Sequence, residues 1–250
     1  MPLKSLVSLE DFRNTYPGCA YAPSLKKVGH LLPLSMDHRL FPHVNRLVAF
    51  TLFSGYIEKG YRPYLSEKPE MLAKTERLFG GVFEDADYEP RTIYRGKGGQ
   101  LRPKESGRPF GRILSVLGVP VGKPKSRAQL ELPPYIMDAV KRAKTDPLAM
   151  QTLRDFSAVM LKLRLRTRQP PRTTAAGVEK RSTFHLLELP ESTNKKSAEK
   201  FARQVLKLLK TVSKREMTLH VRPYRNRWMA VIRFVDPLSR SADGRYVSSR

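Results

Sequence analysis

Apolar residues first fall into a regular pattern at residue 45. NRLVAFTLFSG (45–55) is almost continuously apolar, with small residues at Ala49 and Ser54, and predicts a buried helix stopped by Gly55. YIEKGYRPYL then predicts two short strands joined at Lys59-Gly60. SEKPEMLAKTERLFG predicts a helix capped by Ser66, with Met71, Leu72, Leu78 and Phe79 on its apolar face. VFEDADYEPRTIYRGKGGQLR reads as strand, KGG turn and strand, and GRPFGRILSVLGVP as a helix ending at Gly118.

The second half repeats this order. DPLAMQTLRDFSAVM predicts a helix over 147–160, capped by Asp146 and with Pro147 at its first position. LKLRLRTRQ (161–169) alternates strictly and predicts a strand, and STFHLLELP predicts its partner after a basic loop. STNKKSAEKFARQVLKLLKTV is amphipathic, with Phe201, Val205, Leu208, Leu209 and Val212 on one side. MTLHVRPY and NRWMAVIRFV predict a hairpin about Arg225-Asn226. Helix–strand–strand thus recurs twice in each half. A repeat of this size predicts two half-domains, 45–124 and 146–236, related by a pseudo-twofold axis within a monomer. Around them lie an irregular N-terminal extension (1–44, with a short helix near SLEDFRN that Ser8 can cap), a linker (125–145) and a polar tail (237–250).

Charge changes the picture. Forty-seven Lys and Arg stand against 23 Asp and Glu, a net charge of +24. That excess exceeds what solubility needs and points to a nucleic-acid partner. A membrane surface is disfavoured: the cations are not gathered on one amphipathic helix, and the longest apolar run, LVAFTLF, is too short to cross a bilayer. The N-terminus lacks the shape of a signal peptide. One cysteine, Cys19, allows no internal disulfide and fits a reducing, cytoplasmic setting. No histidine or cysteine spacing forms a metal motif, so no cofactor is expected.

As a strand, LKLRLRTRQ places Lys162, Arg164, Arg166 and Arg168 on one face and Leu163 and Leu165 on the other. Residues 161–182 carry seven cations, Arg172, Lys180 and Arg181 among them, against one anion, Glu179. Residues 67–90 carry seven acids against three cations, so the charge is uneven along the chain. Edge strands use cations to block pairing with other chains, but one or two suffice for that. Four in alternation, followed by a basic loop, fit a row of phosphates better. Tyr56, Tyr61, Tyr64, Tyr94, Tyr224 and Trp228 lie near the predicted cationic strands, where sheet packing and base stacking both remain open.

The order of elements, together with GRILSVLGVPVGKPKSRAQLELPPYI, resembles the LAGLIDADG homing endonucleases over residues 31–236. The resemblance implies an α+β fold of two αββαββα half-domains whose antiparallel sheets form a basic saddle on nucleic acid. It also implies that the two helices at the pseudo-twofold axis end in carboxylates sharing divalent metal for DNA cleavage. Here Ser54 stands at the first of these positions, and Met160, or Lys162 on a shifted register, at the second. Glu58, Asp155, Asp85 and Asp87 are the nearby acids, each with an ordinary solvated or capping role to set against a catalytic one. The resemblance and these substitutions together imply a non-catalytic binder. On the saddle they place Lys59, Arg62, Arg95, Lys97 and Arg102 from the first half. From the second half they add the 162–181 cations, Arg222, Arg225 and Arg227. Structured RNA, such as ribosomal RNA or an intron, is favoured as target over duplex DNA, because of the charge excess and the basic termini. A divergent metal-dependent DNA endonuclease and a DNA-binding regulator are the alternatives.

Overall fold

The computed structural model describes residues 5–16, 22–83, 90–95, 98–103, 107–122, 130–168 and 184–235. The axis of the molecule is a pair of helices, α3 (Phe41–Ser54) and α7 (Pro147–Arg164), packed along each other. Each runs directly into a four-stranded antiparallel sheet. In the first half β1 (Gly55–Ile57), β2 (Pro63–Glu67), α4 (Pro69–Val82), β3 (Pro90–Arg95), β4 (Gly98–Pro103) and α5 (Gly107–Val116) follow α3. In the second half β5 (Leu165–Arg168), β6 (Phe184–Glu188), α8 (Lys195–Val212), β7 (Glu216–Tyr224) and β8 (Arg227–Val235) follow α7. The sheets have the same order, β1-β2-β4-β3 and β5-β6-β8-β7. The first half is αββαββα, and the second is αββαββ among the described residues, so the internal repeat is one of topology as well as sequence.

Helix α3 is buried nearly all round, as its unbroken apolar run requires. Gly55 makes its exit into β1 possible: a Cβ there would lie 2.2 Å from the Tyr64 carbonyl oxygen. Between α3 and α7, Phe53 and Phe156 meet edge to face at 6.0 Å, and Ala49 and Ser157 are buried. Ala158, also small, is exposed, because the inward stripe of α7 runs through Phe156, Ser157 and Met160. A buried polar link supplements the apolar contact. Asn45 donates from Nδ2 to the Thr152 carbonyl (2.9 Å) and accepts at Oδ1 from the Tyr135 hydroxyl (2.8 Å), which α6 (Pro134–Arg142) supplies.

Several sequence expectations change. Helix α3 starts at Phe41, with Pro42 in its first turn, rather than at 45. Ser66 lies in β2, and α4 starts at Pro69 after Lys68, without a side-chain cap. The linker contains α6. Helix α7 runs to Arg164, so the first four residues of LKLRLRTRQ are helical and only Leu165–Arg168 form β5. Ala149, Leu153, Phe156, Met160 and Leu163 are all buried at helical spacing, and that period outweighs the local alternation.

The N-terminal extension is more ordered than expected. It contains α1 (Leu9–Asn14), α2 (Ala22–Val28) and a 3-10 turn (Gly29–Leu31). The Ser8 hydroxyl accepts from the Asp11 amide while the Asp11 carboxylate accepts from the Ser8 amide, a reciprocal cap of α1. Val7, Phe12, Val28, Leu31 and Leu34 are fully buried and join the main core. The Arg112 guanidinium lies 3.9 Å from the Tyr16 ring centre and 4.1 Å from that of Tyr61, tying the extension to α5 and the β1–β2 turn.

Candidate nucleic-acid interface

Strand register sorts the cations by face. In the second sheet Leu165 pairs with Leu187, and Leu187 with Ile232; all three positions face the helices. The neighbouring row faces away from them: Arg166 opposite Leu186, Leu186 opposite Arg233, Arg233 opposite Thr218. Arg166, Arg222 and Arg233 are exposed, and His220 shares their face. Arg225 and Asn226, with φ of 46° and 59°, form the tight β7–β8 turn that a two-residue hairpin needs, and Arg225 is exposed at its tip. Arg227 is half-buried and donates to Glu191 at 3.4 Å.

The row of four cations expected on one strand is therefore divided. Lys162 leaves the helix toward α4, where the Lys74 amine, by hydrogen bond and by charge, lowers its pKa. Arg164 folds back to the axis and donates from Nη2 to the Phe53 carbonyl at the end of α3. Burial is the main influence on its guanidinium and lowers its pKa; Glu67, Glu188 and Glu191 raise it, and Arg166 lowers it. Arg166 and Arg168 remain on β5. Arg172, Lys180 and Arg181 lie outside the described residues, as do Lys97, Asp85 and Asp87.

In the first half Lys59 is exposed in the β1–β2 turn, and Arg62 is half-buried behind it. Arg95 ends β3, and Arg102 on β4 pairs with Arg91. The Tyr56 and Tyr64 rings stack on each other at 4.9 Å, Tyr61 is engaged by Arg112, and Trp228 lies under the Lys195 ammonium at 5.2 Å. These four aromatics have protein partners, which favours packing over base stacking for them.

The sheet pairing also fixes the position equivalent to Ser54. Gly55 pairs with Leu65 and Leu65 with Leu101; Leu165 pairs with Leu187 and Leu187 with Ile232. Gly55 and Leu165 are thus counterparts, and the last helical residues before them are Ser54 and Arg164. Met160, expected at the second position, is fully buried one turn earlier, and Lys162 points elsewhere. Asp155 is bound to Arg46 at 2.8 Å and only 14% exposed, so it is a structural ion pair of the α3–α7 contact. Sequence reading missed the acids around Arg164, because Glu67, Glu188 and Glu191 come from distant strands and loops. Among the described residues no group of three or more His, Cys, Asp or Glu is arranged to hold a metal ion, and no helix is long and apolar enough to cross a membrane.

Two topologically equivalent sheets hung from one helix pair, with a cationic outer face on the second, define a two-repeat α+β protein. No protein-family model matches the chain, and no curated protein matches it significantly. Among solved structures it is similar to I-DmoI in complex with DNA and Mn, with a TM-score of 0.44 and 12% identity over 79% of this chain and 91% of that one. It is also similar to I-DmoI with DNA and Ca (0.44, 12%, 78% and 84%) and to mesophilic variants of the homing endonuclease I-DmoI (0.43, 12%, 78% and 89%). A likeness of this size says nothing about activity; the fold rests on the strand order and helix pairing described above.

Proposed function

We infer that this chain is a non-cleaving nucleic-acid-binding protein, monomeric, holding structured RNA on a saddle formed by the outer faces of its two sheets. The observation that carries this reading is the charge at the axis. The two equivalent helix ends present Ser54 and Arg164, a neutral hydroxyl and a guanidinium. Neither supplies the anionic oxygen that a divalent ion between them would require, and the guanidinium repels one. The exposed Arg166, Arg222, Arg225 and Arg233 give the second sheet and its turn a surface suited to phosphates. The preference for RNA over duplex DNA follows from a net charge of +24, more than one short duplex site uses.

Binding and cleavage are tested together. The purified chain is titrated with a structured RNA and with a duplex DNA of equal length at matched salt, then incubated with Mg²⁺ or Mn²⁺. The expected result is tighter binding to RNA and no cut in either. Tighter binding to the DNA would replace the RNA target by a duplex. Site-specific cleavage abolished by EDTA and by Glu67→Gln would establish a divergent endonuclease built on an acid outside the two helix ends.

A further inference from the structure

The side of the second half opposite the sheet face carries a charge pattern that the saddle does not use. Helix α8 buries Phe201, Val205, Leu208 and Leu209 and packs on β7 and β8. Its other side presents Lys196, Lys200, Arg203, Lys207, Lys210 and, just beyond its end, Lys214. All six are exposed, at successive steps of four, three, four, three and four residues. That spacing is one stripe of an α-helix, and from Lys196 to Lys210 it runs about 21 Å. Lys141 and Lys144, at the end of α6, extend it sideways across an open groove of about 470 Å³. Val140, Met150 and Leu206 contribute the groove's apolar lining, and no carboxylate lines it. Lys200 is bound to Glu131 (2.6 Å) and Lys141 to Asp138 (3.1 Å). Among the described residues Lys144, Arg203, Lys207 and Lys210 have no ion pair.

Like charges three and four residues apart weaken a helix, and a chain of net charge +24 gains no solubility from more of them. An unbroken line of cations is the footprint of a polyanion. An acidic amphipathic peptide would need a row of apolar anchor sites, and the groove offers three apolar side chains while the stripe continues far beyond it. We propose that the α8–α6 surface is a second contact for a nucleic-acid phosphate backbone, so that one chain holds two strands or helices, one on each side of the second sheet. The cations are mostly lysines, flexible point charges suited to positioning a backbone without reading sequence. The sites lie on opposite faces of one layer, so a single short duplex cannot occupy both, and two bound segments become bridged.

A bridging assay with a 20-base-pair RNA duplex, one batch carrying a donor dye and another an acceptor, tests this. Wild-type protein at half the duplex concentration brings donor and acceptor together, and the complex sediments with two duplexes. Arg203→Gln/Lys207→Gln/Lys210→Gln, all at exposed positions, keeps the wild-type melting temperature, loses energy transfer and sediments with one duplex. Its total salt dependence falls by about two to three units of log K against log salt. Arg166→Gln/Arg222→Gln removes the opposite site, so the two failures are distinguishable. If the α8 variant alone abolishes all binding, α8 is the one contact, and both the saddle and the bridging of two segments are refuted. If the α8 variant bridges duplexes like the wild type, or the wild type never binds more than one, the second surface is refuted. Stronger binding of a Glu- and Leu-rich helical peptide than of the duplex, lost in the α8 variant, would also overturn the proposal and make the groove a protein-docking site.

Discussion

Arg164 and Arg166 are two residues apart and chemically identical, yet the structure assigns them opposite duties. Arg164 donates to the last turn of α3 and is surrounded by Glu67, Glu188 and Glu191. Changing it to Gln loses a charge-assisted bond, about 1.5–3 kcal/mol, and leaves the Phe53 carbonyl without that donor and Glu67 with one nearby cation fewer. Glu67 Oε2 is already buried without a hydrogen-bond partner, so the total loss is about 2–4 kcal/mol. For a chain of this size that lowers the melting temperature by about 5–12 °C. Arg166 is exposed on the outer face, and Arg166→Gln changes stability by no more than about 0.5 kcal/mol. It removes one phosphate contact, so the slope of log K against log salt flattens by about 0.7–0.9, equally for all nucleic-acid sequences. Calorimetry and salt titration of the two single variants decide the matter. If Arg164→Gln melts like the wild type and flattens the slope, the helix boundary at 164 is misplaced and the residue belongs to the cationic row. If Arg166→Gln leaves the slope unchanged, the outer face of β5 is not the contact.

Asn45→Ala removes the two hydrogen bonds by which this side chain joins α3 to α6 and α7, and strands the buried Tyr135 hydroxyl. Urea unfolding is expected to register about 2–4 kcal/mol, with Tyr135→Phe recovering about 1 kcal/mol in the double variant. Gly55→Ala pushes a methyl group to 2.2 Å from the Tyr64 carbonyl oxygen, so a loss of about 2–3 kcal/mol is expected although the backbone there is extended; an unchanged melting curve would contradict the tight α3–β1 exit. The Ser8 side chain, then the Ser8 backbone, hold the Asp11 carboxyl below its ordinary value. The contribution of the α1 cap is therefore complete above the ordinary aspartate range and lost as pH falls through the depressed folded value, and hydrogen exchange of α1 should show that acid-side loss in the wild type but not in Asp11→Asn.

Long periodic segments were legible in the sequence. The apolar stripe of α8 and the Arg225-Asn226 turn lie where pattern and turn chemistry put them, because each is fixed by residues close in the chain. The end of α7 was not legible. From Met160 onward a helix and a strand place Leu163 equally well inside, and only packing against α3 and α8 decides. The same ambiguity hid the equivalence of Ser54 and Arg164, which follows from strand register and not from spacing along the chain. The N-terminal layer was missed for another reason. Its helices are short and separated, and what orders them is the long-range pairing of Val7 with Leu34 and the stacking of Tyr16 on Arg112.

Arg164 also supplies a cation where the two helix ends meet. Two helices that converge at their C-terminal ends bring together unsatisfied carbonyls and the negative ends of two dipoles. Carboxylates added there would concentrate negative charge further and call for a bound cation. A guanidinium donated by one helix to a carbonyl of the other meets the same electrostatic demand from within the chain. Glu67, at the end of β2, adds favourable charge to this guanidinium without bonding to it. The pseudo-twofold symmetry must break at this point, because a second arginine at position 54 would face the first across the axis. Ser54, small and neutral, is the residue type that lets the asymmetric solution stand.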